Sequence, residues 1–233
     1  MVYPAGMELK QRAGEAAVEF VQSGMTVGLG TGSTAKFFIQ GLASAIRSGK
    51  LLGIRGVPTS VASERLAREA GVPIASFSDI NEIHVTVDGA DEIAPDLTLI
   101  KGLGGALMRE KLVAQCSQKL VIIADESKLV SALGTRCPLP VEVTAFGHEL
   151  TEKFLRGLGC EPVLRRHVDG ATFLTDNGNY IFDCKFAGIP DPKALESTLA
   201  LRAGVVESGL FIGLASIAIV AMKDSIKTLT VPA

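Results

Sequence analysis

The sequence predicts an α/β fold in which a mainly parallel sheet is flanked by helices and joined by a smaller α+β domain. In the first half, short apolar segments such as "MTVGLG" and "KLVIIAD" alternate with helix-like segments such as "STAKFFIQGLASAI", which is typical of parallel sheets. After "CPLPVEV" the pattern becomes β, α, β, β, α, β. These two patterns indicate a Rossmann-like, three-layer domain and a smaller ferredoxin-like domain.

The elements of the first half follow in order along the chain. "MELKQRAGEAAVEFVQSG" has helical spacing and is expected to end at Gly24, before the strand "MTVGLG". "LLGIRGV" is predicted as a strand, and "SVASERLAREAG" as a helix that Gly71 ends. "EIHVTVD", "DLTLIK" and "KLVIIAD" are expected as further strands of the same sheet, with "ALMREKLVAQCS" as a helix.

The smaller domain is predicted from six segments that alternate in the βαββαβ order: "VEVTA", "HELTEKFLRGLG", "PVLRR", "NYIFDCKF", "DPKALESTLALR" and "VVESGLF". The apolar segment 210–222 is expected to return to the first sheet as a strand or buried segment. The predicted domains are therefore 1–135 together with 207–233, and 136–206.

Composition favours a small-molecule partner in a reducing compartment. The 23 basic and 25 acidic residues nearly cancel, so no nucleic-acid-binding surface is indicated. The four cysteines form no C-x-x-C pair, which argues against a zinc site or a tight disulfide framework. "MVYPAGMELKQR" has no apolar signal segment, and "GLFIGLASIAIVAM" is shorter than the ~20 residues that span a bilayer. We expect the protein to lie in the cytoplasm and not to associate with a membrane.

The first motif, "GLGTGSTA", is an incomplete dinucleotide fingerprint. The third glycine would fall at Ser33, and no acidic residue lies between Glu19 and Glu64 to bind a ribose diol. The lysine of a P-loop is also absent. What remains is a glycine turn that opens a helix with Ser33 and Thr34, and such a turn suits a phosphate or carboxylate. The alternative is an ordinary helix cap.

The second motif, "VDGADE", places Asp88 at a strand end and Asp91 three residues later. Two neighbouring carboxylates can transfer protons. One alternative is a turn with solvated acids. Another is a magnesium site, although no third oxygen-rich cluster completes it.

"KGLGG" places Lys101 at another strand end, where its ammonium can stabilise an oxyanion. Glu110 follows about one turn into the next helix. Taken alone, Lys101 could be an ordinary surface lysine, and Glu110 could belong to a solvated row with Arg109 and Lys111. The combination favours proton abstraction beside a carbonyl, which needs a base, a cation, a proton shuttle and a phosphate anchor but no redox cofactor.

Five motifs in this order, "GLGTGSTA", "DGADEI", "KGLGGALMREK", "ADESK" and "PLPVEV", resemble the ribose-5-phosphate isomerase type A family over about residues 8–213. The resemblance implies cofactor-free interconversion of D-ribose 5-phosphate and D-ribulose 5-phosphate through an enediolate, in the pentose phosphate pathway. It also implies a homo-oligomer, either a dimer or a tetramer. In that assembly 1–135 and 207–233 form the catalytic domain and 136–206 lies at the interface.

The resemblance also implies roles for individual residues. Glu110 corresponds to the base that takes the C2 proton, Asp88 and Asp91 to the groups that assist ring opening and proton transfer, and Lys101 to the group that stabilises the enediolate. Lys10 is a weaker candidate for the phosphate. The residues expected to bind substrate are Thr31, Gly32, Ser33, Thr34, Asp88, Gly89, Ala90, Asp91, Lys101, Gly102, Leu103, Gly104 and Lys128. No metal ligand is implied.

Two features depart from the family pattern. Leu103 stands where the family usually has glycine, so a conformation open to any residue is expected there. The tail "FIGLASIAIV" is more apolar than expected. Two other functions stay open: an amino-sugar phosphate deaminase of similar architecture, and a catalytically silent sugar-phosphate sensor. A sensor usually carries a DNA-binding helix pair, for which the sequence before residue 7 is too short.

Overall fold

The structure, a computed structural model, describes residues 5–231. Its α-helices are α1 (Ala5–Ala16), α2 (Ala35–Arg47), α3 (Val61–Ala70), α4 (Leu107–Gln115), α5 (His148–Gly157) and α6 (Pro192–Ala200). Its strands are β1 (Thr26–Leu29), β2 (Arg55–Pro58), β3 (Val85–Gly89), β4 (Glu92–Ile93), β5 (Leu99–Ile100), β6 (Leu120–Asp125), β7 (Leu139–Val143), β8 (Glu161–Leu164), β9 (Tyr180–Lys185), β10 (Val205–Ser208), β11 (Leu210–Phe211), β12 (Ala215–Ala221) and β13 (Ile226–Thr230). Short 3-10 helices cover Ala17–Phe20, Phe77–Asp79 and Glu126–Lys128.

The chain folds into two compact units. The first unit is Met1–Ala90, Arg109–Lys128 and Gly213–Ala233, and the second unit is Asp91–Met108 and Leu129–Ile212. Within the second unit, Ile100 and Leu210 pack in one apolar cluster with Leu139 and Val141 of β7. The residues 1–4 of "MVYPAGMELKQR" lie outside the described residues.

A six-stranded sheet, in the order β13-β12-β6-β3-β1-β2, runs through the first unit. Its neighbours pair in parallel, except that β12 and β13 are antiparallel. Val85 and Val87 of β3 pack in the apolar cluster that also holds Phe38 of α2, so Thr86 and Asp88 lie on the opposite face of the sheet. The predicted mainly parallel sheet is confirmed, and β12 confirms the return of the apolar tail to it.

The second unit contains the predicted βαββαβ pattern as β7, α5, β8, β9, α6 and β10. Its four strands form an antiparallel sheet in the order β10-β7-β9-β8. A separate three-stranded antiparallel sheet has the order β11-β5-β4. The prediction that "DLTLIK" joins the parallel sheet was therefore wrong, because Leu99 and Ile100 pair with Phe211 and Leu210 instead.

Two helix ends show how local chemistry sets the element bounds. Gly71 ends α3 in the left-handed conformation, with φ of 87°, as predicted from its position after the last helical residue. Helix α1 instead ends at Ala16 and continues as the 3-10 helix Ala17–Phe20, so the expected end at Gly24 was too late.

Among residues 5–231, no helix combines the length and apolar character needed to cross a membrane.

Candidate active site

The glycine turn after β1 lies against Asp88 at the end of β3. A Cβ atom on Gly30 would lie 2.3 Å from Oδ1 of Asp88 and 2.5 Å from its Cα, so only glycine leaves room for this carboxylate. Asp88 is 1% exposed. Its Oδ1 accepts hydrogen bonds from the N–H of Thr31 at 2.9 Å and of Gly89 at 2.7 Å. The turns after β1 and β3 are therefore joined, and the solvated-turn alternative for Asp88 was wrong.

Two hydroxyl residues missed by the sequence analysis contact Thr31. The Thr31 Oγ1 lies 2.7 Å from Oγ1 of Thr59 and donates to Oγ of Ser60 at 2.8 Å. Thr59 is fully buried and donates to the Leu29 carbonyl at 3.1 Å. Both residues follow β2, the neighbour of β1. The rule that ligand-binding groups gather at the carboxyl ends of parallel strands was therefore the signal that could have found them.

The turn continues into α2, and its last residues lie at the N-terminal end of that helix. The first amides of a helix have no intrahelical acceptor and attract anions. Gly32 has φ of 106°, and Thr34 makes no side-chain capping hydrogen bond, so the ordinary-cap alternative does not describe this end. Lys10 of α1 donates from Nζ to Oγ of Ser33 at 3.1 Å. An ammonium group therefore lies beside the helix end, as expected for a phosphate site.

In the second unit, Asp91 contacts the glycine-rich turn 102–105. Its Oδ2 accepts a hydrogen bond from the N–H of Leu103 at 3.0 Å, and the N–H of Gly105 closes the turn on the Gly102 carbonyl at 2.9 Å. Within residues 5–231 the non-glycine residue with positive φ is Leu97. The prediction that Leu103 adopts a conformation open to any residue is therefore confirmed.

Lys101, at the end of β5, is 2% exposed. Its N–H donates to the Gly209 carbonyl at 2.9 Å, and its Nζ lies 5.3 Å from the centroid of the Phe211 ring. The aromatic face attracts a cation electrostatically. The alternative of an ordinary surface lysine was therefore wrong.

The remaining candidates lie in the first unit. Glu110 is in the first turn of α4 and is 4% exposed, and Lys111 beside it is also buried, so the alternative of a solvated row was wrong. Lys128 ends the 3-10 helix that follows β6 and is half-buried, as are Gly89, the last residue of β3, and Ala90 after it. In the described part of the chain, no group of three or more His, Cys, Asp or Glu residues is arranged to hold a metal ion.

The fold and these residues define a class of protein. The first unit holds the glycine turn at the N-terminal end of α2 together with Asp88 and Glu110, and the second unit holds Lys101 with Asp91. Buried carboxylates and amines at strand ends are typical of enzymes that transfer protons. The class is therefore an α/β enzyme for a small anionic substrate.

Comparison with known proteins identifies the family. Residues 55–225 match the model of the family described as ribose 5-phosphate isomerase A (phosphoriboisomerase A). The chain is 50% identical over 223 residues to the ribose-5-phosphate isomerase A of Roseiflexus sp. (strain RS-1), covering 96% of each. It is 52% identical over 222 residues to that of Bacillus mycoides (strain KBAB4), covering 95% of this chain and 99% of the relative. The chain belongs to the ribose 5-phosphate isomerase A family, and the resemblance predicted from its motifs is confirmed.

Solved structures agree with this assignment and confirm the fold class. The ribose 5-phosphate isomerase of Plasmodium falciparum has a TM-score of 0.93 at 39% identity, covering 96% of this chain and 98% of that one. The ribose 5-phosphate isomerase A of Methanocaldococcus jannaschii has a TM-score of 0.91 at 37% identity, with the same coverage of 96% and 98%. A D-ribose-5-phosphate isomerase in complex with phospho-erythronic acid also has a TM-score of 0.93 at 39% identity, covering 96% of this chain and 98% of its own.

Proposed function

We propose that this chain interconverts D-ribose 5-phosphate and D-ribulose 5-phosphate through an enediolate, without a cofactor, in the pentose phosphate pathway. The observation that carries the proposal is the burial of Asp88, Lys101 and Glu110, which are 1%, 2% and 4% exposed. Burying charged groups costs free energy, and proteins keep such groups where they are needed for catalysis. Membership of the family supplies the reaction that uses them.

Glu110 acts as the base in this proposal. In the aldose-to-ketose direction, its carboxylate takes the proton from C2 of the open-chain sugar and later delivers that proton to C1. The C2 electron pair forms the C1–C2 double bond, and the C1 oxygen gains the negative charge. The hydroxyl proton then moves from O2 to O1, and O2 becomes the carbonyl oxygen as C1 is protonated. No oxidant is needed, because the electrons stay within the sugar.

The other charged residues act on the oxygens of the sugar. The ammonium of Lys101 stabilises the negative charge that develops on the enediolate oxygens. Asp88 and Asp91 assist ring opening and the transfer of the proton between O2 and O1. The amides of Thr31 and Leu103 support these roles, since each donates a hydrogen bond to one of the two carboxylates and fixes its orientation.

Substrate binding uses the turns around these groups. The phosphate binds at the N-terminal end of α2 beside Lys10, which donates to Ser33. Besides Asp88, Asp91 and Lys101, the proposed binding residues are Thr31, Gly32, Ser33, Thr34, Gly89, Ala90, Gly102, Leu103, Gly104 and Lys128. The proposal also includes a cytoplasmic homo-oligomer, a dimer or tetramer. Residues 1–135 and 207–233 then form the catalytic part and 136–206 lies at the subunit interface, as the motif resemblance implies.

In chelator-treated buffer, the protein should convert ribose 5-phosphate to ribulose 5-phosphate, because the proposed mechanism uses only side chains and backbone amides. Ketose formation is the measurement. Ammonia release from an amino-sugar phosphate would indicate a deaminase instead. A protein that binds ribose 5-phosphate but exchanges no C2 deuterium with solvent would be a sensor, and either result would contradict the proposal.

Gly30→Ala should lower kcat by about 10–100-fold, since misplacing a reacting group by about 1 Å costs this much. The added Cβ would lie 2.3 Å from Oδ1 of Asp88, and this overlap should also reduce the free energy of unfolding by about 1–3 kcal/mol. Gly157→Ala in α5 is the matched control, because its Cβ would have no atom within 4 Å. Equal kcat values for the two variants would show that the position of Asp88 is not critical.

A further inference from the structure

We propose that Arg165 is a positioning residue that holds the substrate-binding turn 102–105 in the conformation that Asp91 and the sugar require. This inference rests on the proposed function. Arg165 lies just after β8 in the second unit, and its backbone N–H donates to the Ile181 carbonyl of β9 at 2.8 Å. Its side chain is 13% exposed, so it is largely buried against its partners.

The guanidinium of Arg165 connects an acid to the turn. Its Nε donates to Oδ2 of Asp183 at 2.9 Å and its Nη2 to Oδ1 at 2.5 Å, which is the two-point pairing that fixes the plane of an arginine. Its Nη1 donates to the carbonyl of Leu103 at 3.0 Å and approaches that of Gly102 at 3.4 Å. One end of the guanidinium is therefore held by β9, and the other holds the turn.

Because of peptide geometry, the contacts of Arg165 with these two carbonyls also orient the N–H groups of the turn. In a planar trans peptide the C=O and N–H groups point in opposite directions, and no peptide bond within residues 5–231 is cis. The Gly102 carbonyl shares its peptide with the Leu103 N–H, which donates to Asp91 at 3.0 Å. The Leu103 carbonyl shares its peptide with the Gly104 N–H. By holding both carbonyls, Arg165 fixes the direction of both amides.

Phe173 reinforces the same turn at its other end. A Cβ on Gly105 would lie 2.5 Å from Cζ of Phe173, so the ring packs directly on the glycine backbone. The Phe173 N–H donates to the Arg165 carbonyl at 3.0 Å, and the Arg165 Cζ lies 5.6 Å from the ring centroid. Arg165 and Phe173 therefore contact the turn as a connected pair.

Arg165→Met should lower kcat for ribose 5-phosphate by about tenfold or more while KM changes by less than about threefold. The reason is that a misplaced Asp91 slows the proton transfer between O2 and O1, a step that follows substrate binding. Arg165→Lys should recover part of kcat, because an ammonium can donate to the carbonyls but cannot also pair with Asp183 at two points. The double variant Arg165→Met/Asp183→Asn, which leaves no unpaired buried carboxylate at this place, should lose kcat as Arg165→Met does.

The control is Arg156→Met, which removes an exposed ion pair with Glu152 at 2.8 Å on α5 of the same unit. It should keep the kcat and KM of the parent. A parent-like kcat in either folded Arg165→Met variant, or an equal loss in the control, would overturn the inference. A parent protein that does not isomerise ribose 5-phosphate would overturn the proposed function as well, so the two failures are distinguishable.

Discussion

Glu110→Gln is expected to lower kcat for ribose 5-phosphate by about a thousandfold or more, since general-base catalysis typically contributes 10²–10⁴-fold. Glutamine keeps the size and shape of the side chain but cannot accept the C2 proton. Glu110 is 4% exposed, so water has little access to replace the carboxylate. KM should change far less than kcat, because the lost interaction belongs to the transition state.

The measurement is the initial rate of ketose formation, together with the exchange of C2 deuterium into solvent. Both should fall by the same factor, since both depend on removal of the C2 proton. Glu69→Gln is the matched control, because Glu69 lies on α3 with its side chain 68% exposed. If the Glu110 variant folds normally and keeps its C2 exchange, another group is the base.

Regular local patterns explain why most of the fold was predictable. Strand β6 has all six residues buried, and "KLVIIAD" shows this as a continuous apolar run. The sheet β11-β5-β4 has no such signal, because its strands are two residues long and Leu99 pairs with Phe211 across the chain. Strands this short, paired with residues far away in the sequence, show no alternation of apolar and polar residues from which they could be predicted.

The same distinction applies to the candidate site. The rule that ligand-binding groups gather at the carboxyl ends of parallel strands describes Thr31 and Asp88, which the structure joins by a hydrogen bond of 2.9 Å. Thr59 obeys the same rule, and it was missed because "PTS" contains neither a charge nor a glycine. Arg165 had no detectable signal, since its contact with Leu103 joins residues 62 positions apart. The burial of Lys101 excluded the alternative of an ordinary surface lysine. This burial cannot be predicted from the sequence, which shows only that a lysine follows a strand.

Lys101→Met is expected to lower kcat by about 10²–10³-fold, the usual cost of removing one group that stabilises an oxyanion. Methionine fills a similar volume, and its sulfur can contact the Phe211 ring that the Lys101 Nζ approaches at 5.3 Å from the centroid. Removing one buried charge leaves its partner groups uncompensated and typically destabilises a protein by about 3–5 kcal/mol. The thermal unfolding midpoint should therefore fall, and kcat is compared at a temperature at which both proteins are folded.

Comparing the folded proteins separates catalysis from stability, because the loss of kcat is then measured apart from any loss of folded protein. Lys153→Met on α5 is the control, since Lys153 is exposed and should keep full activity when replaced. KM for ribose 5-phosphate should change little in the Lys101 variant, because the ground-state sugar carries no negative charge at C1 or C2. A folded Lys101→Met protein with the kcat of the parent would show that the enediolate is stabilised by other groups.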